Sequence, residues 1–271
     1  MIPAEFDYAR PSSPAEAIIL MAEHRDAKLL AGGHSLLPIM KLRLAAPTLL
    51  VDIGRLAELR YQWVDGDQLA IGALTRHADL TGSDLVRSEA PLLAHVAGLV
   101  GDPQIRARGT LGGSLVHADP AADLPAAVLA LDATLVLQGP AGERWVPASE
   151  FFAGFMQTVI RPDELLVEVR VPRSGQASWG YQKFVRRAND WAIVAAAAVD
   201  GRIALAGMAE TPVRARASEA ALAGGASAVD AAAVADEGTS PTADMHASVD
   251  YRRHLARVLT RRALQGATGR A

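Results

Sequence analysis

Apolar and polar positions along this chain fall into three textures. The first fifty residues read as strand, helix, strand. "FDYAR" is a short extended piece, and Ser13-Pro14 then occupy the cap and first-turn positions of a helix with Glu16 in its first turn. Ile18, Ile19, Met21 and Ala22 give that helix an apolar face. "AKLLAGG" predicts a short buried strand ending in a glycine pair, and "TLLVDIG" another after Pro47. Between them "SLLPIMKLRL" has room only for a short turn or helix.

In the middle third, "QLAIGALTRHADL" predicts a strand leading into a helix, and "PLLAHVAGLV" a buried helix ending at Gly101. A glycine-rich loop, an aspartate-and-proline cluster, a small-residue helix and a strand follow through "ATLVL". "FFAGFMQTVIRPDELLVEVRVP" reads as a loop and then a strand ending at Pro172. Beyond it alanine dominates. Asp200-Gly201 between apolar runs is a two-residue hairpin signal, the alanine runs read as helix packing, and the chain closes on a helix near "VDYRRHLARVLTRRAL". A domain boundary is placed in "RSGQAS", residues 173–178. It gives residues 1–175, in parts of about 1–55 and 56–175, and residues 176–271.

Length and composition narrow the classes. A chain of 271 residues is at the upper limit of one hydrophobic core, so subdomains are expected. Half the residues are apolar and 21% charged, as in folded proteins. The net charge of −3 offers no basic field for nucleic acid or anionic lipid. There is no cysteine, which removes disulfides, thiolate zinc sites, cysteine-ligated clusters and thiol nucleophiles. The longest apolar stretch, Trp191 to Val199, is too short to span a bilayer, and Glu5 and Asp7 sit where a secretory leader needs basic residues. A cytoplasmic protein without membrane insertion is expected.

Two glycine segments carry the candidate chemistry. In "LLAGGHSLLP", residues 29–38, adjacent glycines after a strand permit positive φ and close approach to bare backbone. Their amides can form an anion site, with Ser35 adding a hydroxyl; an ordinary tight turn is the alternative. A dinucleotide fingerprint fails, because no third glycine opens a full helix and Pro38 intrudes. "RGTLGGSLVHADPAADLP", residues 108–125, repeats a glycine pair flanked by Thr110 and Ser114, followed by His117, Asp119 and Asp123. Two such segments suggest a ligand with several polar parts, such as a dinucleotide. A hydrolase elbow is absent, since leucine and valine follow Ser114. A metal site from His117, Asp119 and Asp123 is chemically possible but has no further spaced ligands. In "YQKFVRRANDWAIV", Lys183, Arg186 and Arg187 could meet anions and Trp191 could cover a ring; an exposed basic turn before a core tryptophan explains the same residues. The last helix, with Tyr251, Leu255, Val258 and Leu259 on one side, is read as docking on its own domain and exposing its arginines.

Taken in order, "AGGHSLLP", "TLGGSLVHADPAADLPAA", "TVIRPDELLVEVRVP", "KFVRRANDWAIV", "TPVRARASEAALAGG" and "YRRHLARVLTRRAL" resemble the FAD-binding medium subunits of molybdenum hydroxylases. These are the carbon monoxide dehydrogenase medium-chain type, related to the flavin domain of xanthine dehydrogenase. The resemblance implies an α+β, vanillyl-alcohol-oxidase (PCMH)-type FAD-binding fold: two α/β subdomains within 1–175, and a C-terminal sheet-and-helix domain in 176–271. It implies non-covalent FAD, with Ala31, Gly32, Gly33, His34, Ser35 and Leu36 around the diphosphate and ribityl chain. Thr110, Gly112, Gly113, Ser114 and His117 would form a second cradle. Asp123 would hydrogen-bond FAD, Ile160 and Lys183 would lie near the flavin, and Trp191 would neighbour its ring. Where many members have asparagine this chain has the shorter Ser114. A molybdenum large subunit, a [2Fe–2S] small subunit and an external acceptor are the implied partners, and no catalytic acid–base pair is expected in this chain. A free-standing FAD oxidase or dehydrogenase, and a non-redox nucleotide-binding scaffold, are the competing readings.

Overall fold

In the computed structural model, which describes residues 2–268, the N-terminal subdomain is a three-stranded parallel sheet of β1 (Asp7–Ala9), β2 (Lys28–Leu30) and β3 (Leu49–Asp52), with β3 central. Helix α1 (Pro14–Glu23) starts where expected: the Ser13 side chain accepts from the Glu16 N–H, with Pro14 in the first turn. The short stretch between β2 and β3 forms α2 (Leu36–Lys41). Ala17, Ile18, Leu49 and Val51 form the local core.

The second subdomain is built on a five-stranded antiparallel sheet of order β4-β5-β10-β6-β7. Its first hairpin is β4 (Gln62–Asp65) and β5 (Gln68–Gly72). A helical run follows: α3 (His77–Gly82), α4 (Asp84–Glu89), α5 (Pro91–Gly98), α6 (Pro103–Arg108), α7 (Leu111–His117) and α8 (Asp123–Ala130). Strands β6 (Thr134–Gly139) and β7 (Gly142–Pro147) come next, then α9 (Ala148–Phe151). The small hairpin β8 (Phe152–Gly154) and β9 (Gln157–Thr158) precedes the long β10 (Leu165–Pro172). One sheet face packs Leu69, Ile71, Leu135 and Val169 under the helices, while Val136, Leu165 and Val167 meet the N-terminal subdomain. A register shift between Leu166 and Glu168 lets Leu166 and Val169, three positions apart, face the same side.

The C-terminal part is a four-stranded antiparallel sheet of β11 (Trp179–Phe184), β12 (Val194–Val199), β13 (Arg202–Ala206) and β14 (Val213–Arg214). Helices α10 (Arg216–Ala223), α11 (Ala228–Ala233) and α12 (Val249–Thr268) complete it. Asp200 and Gly201 form the expected two-residue turn, with φ of 43° and 79°.

One apolar run is confirmed as a strand and two expectations are corrected. Ala195–Ala198, in the apolar run before the hairpin turn, is the middle of buried strand β12. Ala195 and Ala197 face the central core beneath α8, and Ala196 and Ala198 face α12. Small side chains let a helix approach on each face, and that tertiary demand overrides alanine's low strand propensity. The second glycine pair is not in a loop. Thr110 caps α7, and Gly112-Gly113 lie in its first turn. Finally, α12 docks through Leu255 and Leu259, but Arg252 is buried rather than exposed, bonded to the Ile193 and Gly207 carbonyls and to Asp244.

Candidate functional site

The two glycine segments meet. A Cβ at Gly32 would lie 2.3 Å from the Arg108 carbonyl oxygen and 2.9 Å from Gly109 Cα, so only glycine permits this approach. Gly33 takes φ +81°, turning the chain from β2 into α2. Among the described residues no acceptor within the chain takes the N–H groups of Gly32, Gly33, His34 or Ser35. The Ser35 side chain, at the N-cap of α2, caps nothing. This run of unspent donors on bare backbone has the character of an anion nest. Ala31 and Leu36 flank it half-buried, and His34 is exposed.

The second segment has different chemistry. Its amides are mostly spent: Leu111 N–H donates to the Thr75 carbonyl, Gly112 N–H to the Ala73 carbonyl, and Gly113 N–H to Thr110 Oγ1. Gly112 is needed because a Cβ there would lie 2.8 Å from the Ala73 oxygen. Gly113 is exposed on α7, and Ser114 and His117 on the same helix are half-buried. Ala118 then takes a left-handed conformation, φ 52°, to end the helix.

Asp123, at the start of α8, is 4% exposed. Its carboxylate accepts from Tyr181 Oη at 2.5 Å and Lys183 Nζ at 2.9 Å, both on β11. Burial pushes the Asp123 carboxyl up, against the opposing pull of the Lys183 ammonium and the Tyr181 hydroxyl. Burial, then the charge and hydrogen bond of Asp123, raise the Tyr181 hydroxyl well above its usual value. Ile160 is half-buried against the central core just after β9, which touches α7. Trp191 is 53% exposed, not a core tryptophan. Asp119 accepts from the Ala121 N–H, and the described residues contain no group of three or more metal-ligating side chains.

Several residues at the seam escaped sequence reasoning. A cleft of about 290 Å³ is lined by Ala31 and Thr110 together with Gly54, Leu56, Leu74 and the arginines 55, 60, 76 and 108. Whole-ligand pockets run from ~300 to ~1,000 Å³, so this cleft suits part of a dinucleotide. A larger hollow, about 410 Å³, opens beyond the end of β11 among Phe184, Ile193 and Met245 and touches neither glycine segment. His77 was also missed. Its ring packs under Gly109, its backbone N–H donates to the Gly109 carbonyl, and the ring Nδ1 is buried without a partner among the described residues. Burial first, then the charges of Arg106 and His34, lower its pKa to about 4.

An α+β fold with an unspent amide nest, closed against a second glycine segment and flanked by arginines, defines a binder of an anionic nucleotide cofactor. Residues 4–174 match the FAD binding domain in molybdopterin dehydrogenase, and residues 179–267 the CO dehydrogenase flavoprotein C-terminal domain. The chain is 42% identical over 285 residues to the carbon monoxide dehydrogenase medium chain of Hydrogenophaga pseudoflava, covering 100% of this chain and 99% of that one. It is 39% identical over 287 residues to the 6-hydroxypseudooxynicotine dehydrogenase complex subunit alpha of Paenarthrobacter nicotinovorans, covering 100% and 97%. A solved structure of the Hydrogenophaga pseudoflava carbon monoxide dehydrogenase lacking the Mo-pyranopterin moiety superposes with a TM-score of 0.96 at 43% identity, each chain fully covered. The chain belongs to the family of FAD-binding medium subunits of molybdenum hydroxylases. It is a flavoprotein subunit of an oxidoreductase, and among its described residues no helix is long and apolar enough to cross a membrane.

Proposed function

We propose that this chain holds FAD non-covalently between residues 31–36 and 110–117, and conducts electrons from a [2Fe–2S] small subunit to an external acceptor. A molybdenum large subunit would supply those electrons from its substrate. The observation that carries the proposal is the run of unspent amides at Gly32–Ser35, in the segment that the Gly32–Arg108 contact holds against the second one. Charge-assisted hydrogen bonds contribute about 1.5–3 kcal/mol each, so a few of these donors suffice to anchor a diphosphate. Bound FAD supplies a centre that takes electrons singly and releases them in pairs.

This chain's residues position and shield. Ser35 and the amides from Gly32 to Leu36 hold the diphosphate and ribityl chain. Thr110, Gly112, Gly113, Ser114 and His117 form the opposite wall through close approach and hydroxyl contact. In place of the direct hydrogen bond to FAD that the resemblance implies, Asp123, whose carboxylate accepts from Tyr181 and Lys183, would act by holding the Lys183 ammonium toward the flavin, while Ile160 would pack near the ring and Trp191 would screen it from water. The domain partition at residues 173–178 and a cytoplasmic location belong to the same proposal.

The test is to purify the chain with its complex and record the visible spectrum. A yellow complex bleached by the substrate of its molybdenum subunit supports the proposal. A colourless complex indifferent to added FAD removes it in favour of a scaffold module. Bleaching of the isolated chain by a small substrate would instead make it a free-standing oxidase or dehydrogenase.

A further inference from the structure

The arginine-lined cleft borders the nest, and its individual arginines are not yet assigned. Four guanidinium-bearing residues line it, drawn from three separate stretches of chain: Arg55 and Arg60 after β3, Arg76 before α3, and Arg108 at the end of α6. Such convergence is a tertiary product and concentrates positive charge in a chain whose net charge is −3. Two of the nearby carboxylates, Asp79 and Asp52, are already engaged. Asp79 is bidentate to Arg60 and also accepts from the Arg76 N–H. Asp52 accepts from Tyr8 Oη and from the Gly54 N–H. Arg76 spends one nitrogen on the Ala107 carbonyl. Neither the Arg55 nor the Arg108 side chain has a hydrogen-bonding or ion-pair partner among the described residues, and both residues are exposed. The floor of the cleft is apolar, formed by the buried Leu56 and Leu74.

We infer that Arg55, Arg76 and Arg108 form an anion clamp for the diphosphate of FAD, acting beside the amide nest. The inference rests on the flavin reading and deepens it. Two features fit a diphosphate. The cleft is lined by Ala31, the residue before Gly32, and by Thr110, the cap of α7, so it borders both glycine segments. An extended dianion can also reach guanidinium groups and backbone amides together, whereas a single carboxylate cannot span both. Arg60, neutralised by Asp79, frames the cleft instead of binding.

The experiment uses the whole complex, stripped of flavin and titrated with FAD at low and moderate salt. Variants are Arg55→Gln, Arg108→Gln, the double variant and Arg108→Lys. Each single glutamine change is expected to weaken FAD binding at least about tenfold, as the loss of one charge-assisted contact implies. The double variant should also show a shallower dependence of affinity on salt, and Arg108→Lys should retain most of that dependence. Thermal melts should match the wild type, since both side chains are exposed and unpaired. If the double variant melts early, the two single variants decide the comparison. FAD affinity within twofold of wild type, with an unchanged salt dependence, overturns the clamp while leaving the flavin reading intact. Unchanged FAD affinity with a raised KM for an anionic acceptor overturns it too, and reassigns the cleft to the acceptor. A wild-type complex that takes up no FAD overturns both readings.

Discussion

Gly32 and Arg108 touch backbone to backbone, and that contact draws the two glycine segments into one site. Alanine at residue 32 must push the Arg108 carbonyl away, because the Cβ would sit 2.3 Å from its oxygen. Gly32→Ala is expected to cost about 1–3 kcal/mol of stability, as overpacking does, and to weaken FAD retention at least tenfold. Denaturant melts and flavin titration of the complex check this. Wild-type behaviour in both would break the link between the contact and the site.

His77 provides a pH test. Its pKa is about 4 in the folded chain against an ordinary 6.5, so the unfolded chain binds the proton more readily. Stability therefore rises with pH between those values. It is lost progressively as pH falls from about 6.5 to about 4, by roughly 3 kcal/mol in all. His77→Gln should be less steeply destabilised over that interval. Parallel acid dependence in the two proteins would show that the buried ring does not titrate as described.

Lys183 and Asp123 form a buried pair, with side chains 11% and 3% exposed. Removing one partner leaves the other uncompensated, and breaking such pairs costs about 3–5 kcal/mol. Lys183→Met should fall at or just below that range, because Tyr181 still donates to Asp123. The double change with Asp123→Asn should recover part of the loss. A double-mutant cycle from urea melts measures the coupling, and strict additivity would refute it.

Two glycines separate conformational strain from steric overlap. At Gly201, φ is +79° and nothing lies within 4 Å of a built Cβ, so Gly201→Ala should cost about 1 kcal/mol through backbone strain alone. At Gly180 a Cβ would lie 2.1 Å from the Ala263 carbonyl, prising β11 from α12. Gly180→Ala should therefore cost more than Gly201→Ala. Equal melting shifts would mean that α12 yields freely.

Much of this molecule could be read locally. Ser13-Pro14 marked a helix start, Asp200-Gly201 marked a hairpin, and the glycine pairs marked places where other backbone comes close, because capping, positive φ and bare backbone are properties of a few adjacent residues. Why the strand at Ala195–Ala198 is built of alanine was not legible, because the helices covering its two faces come from distant stretches. Helix α6 was missed although Asp102-Pro103 signals it, with Asp102 Oδ1 accepting from the Ile105 N–H.

The sequence by itself determined the turns, the caps, the glycine-dependent close approaches and membership of a flavoprotein family. Only the tertiary structure decided that the first segment is an open nest while the second is a helix with spent amides. It alone committed Asp123 to Tyr181 and Lys183, and brought four arginines to one seam. The reason is physical: hydrogen-bond satisfaction and charge proximity depend on which groups meet, and residues far apart in the chain meet only once the core has packed.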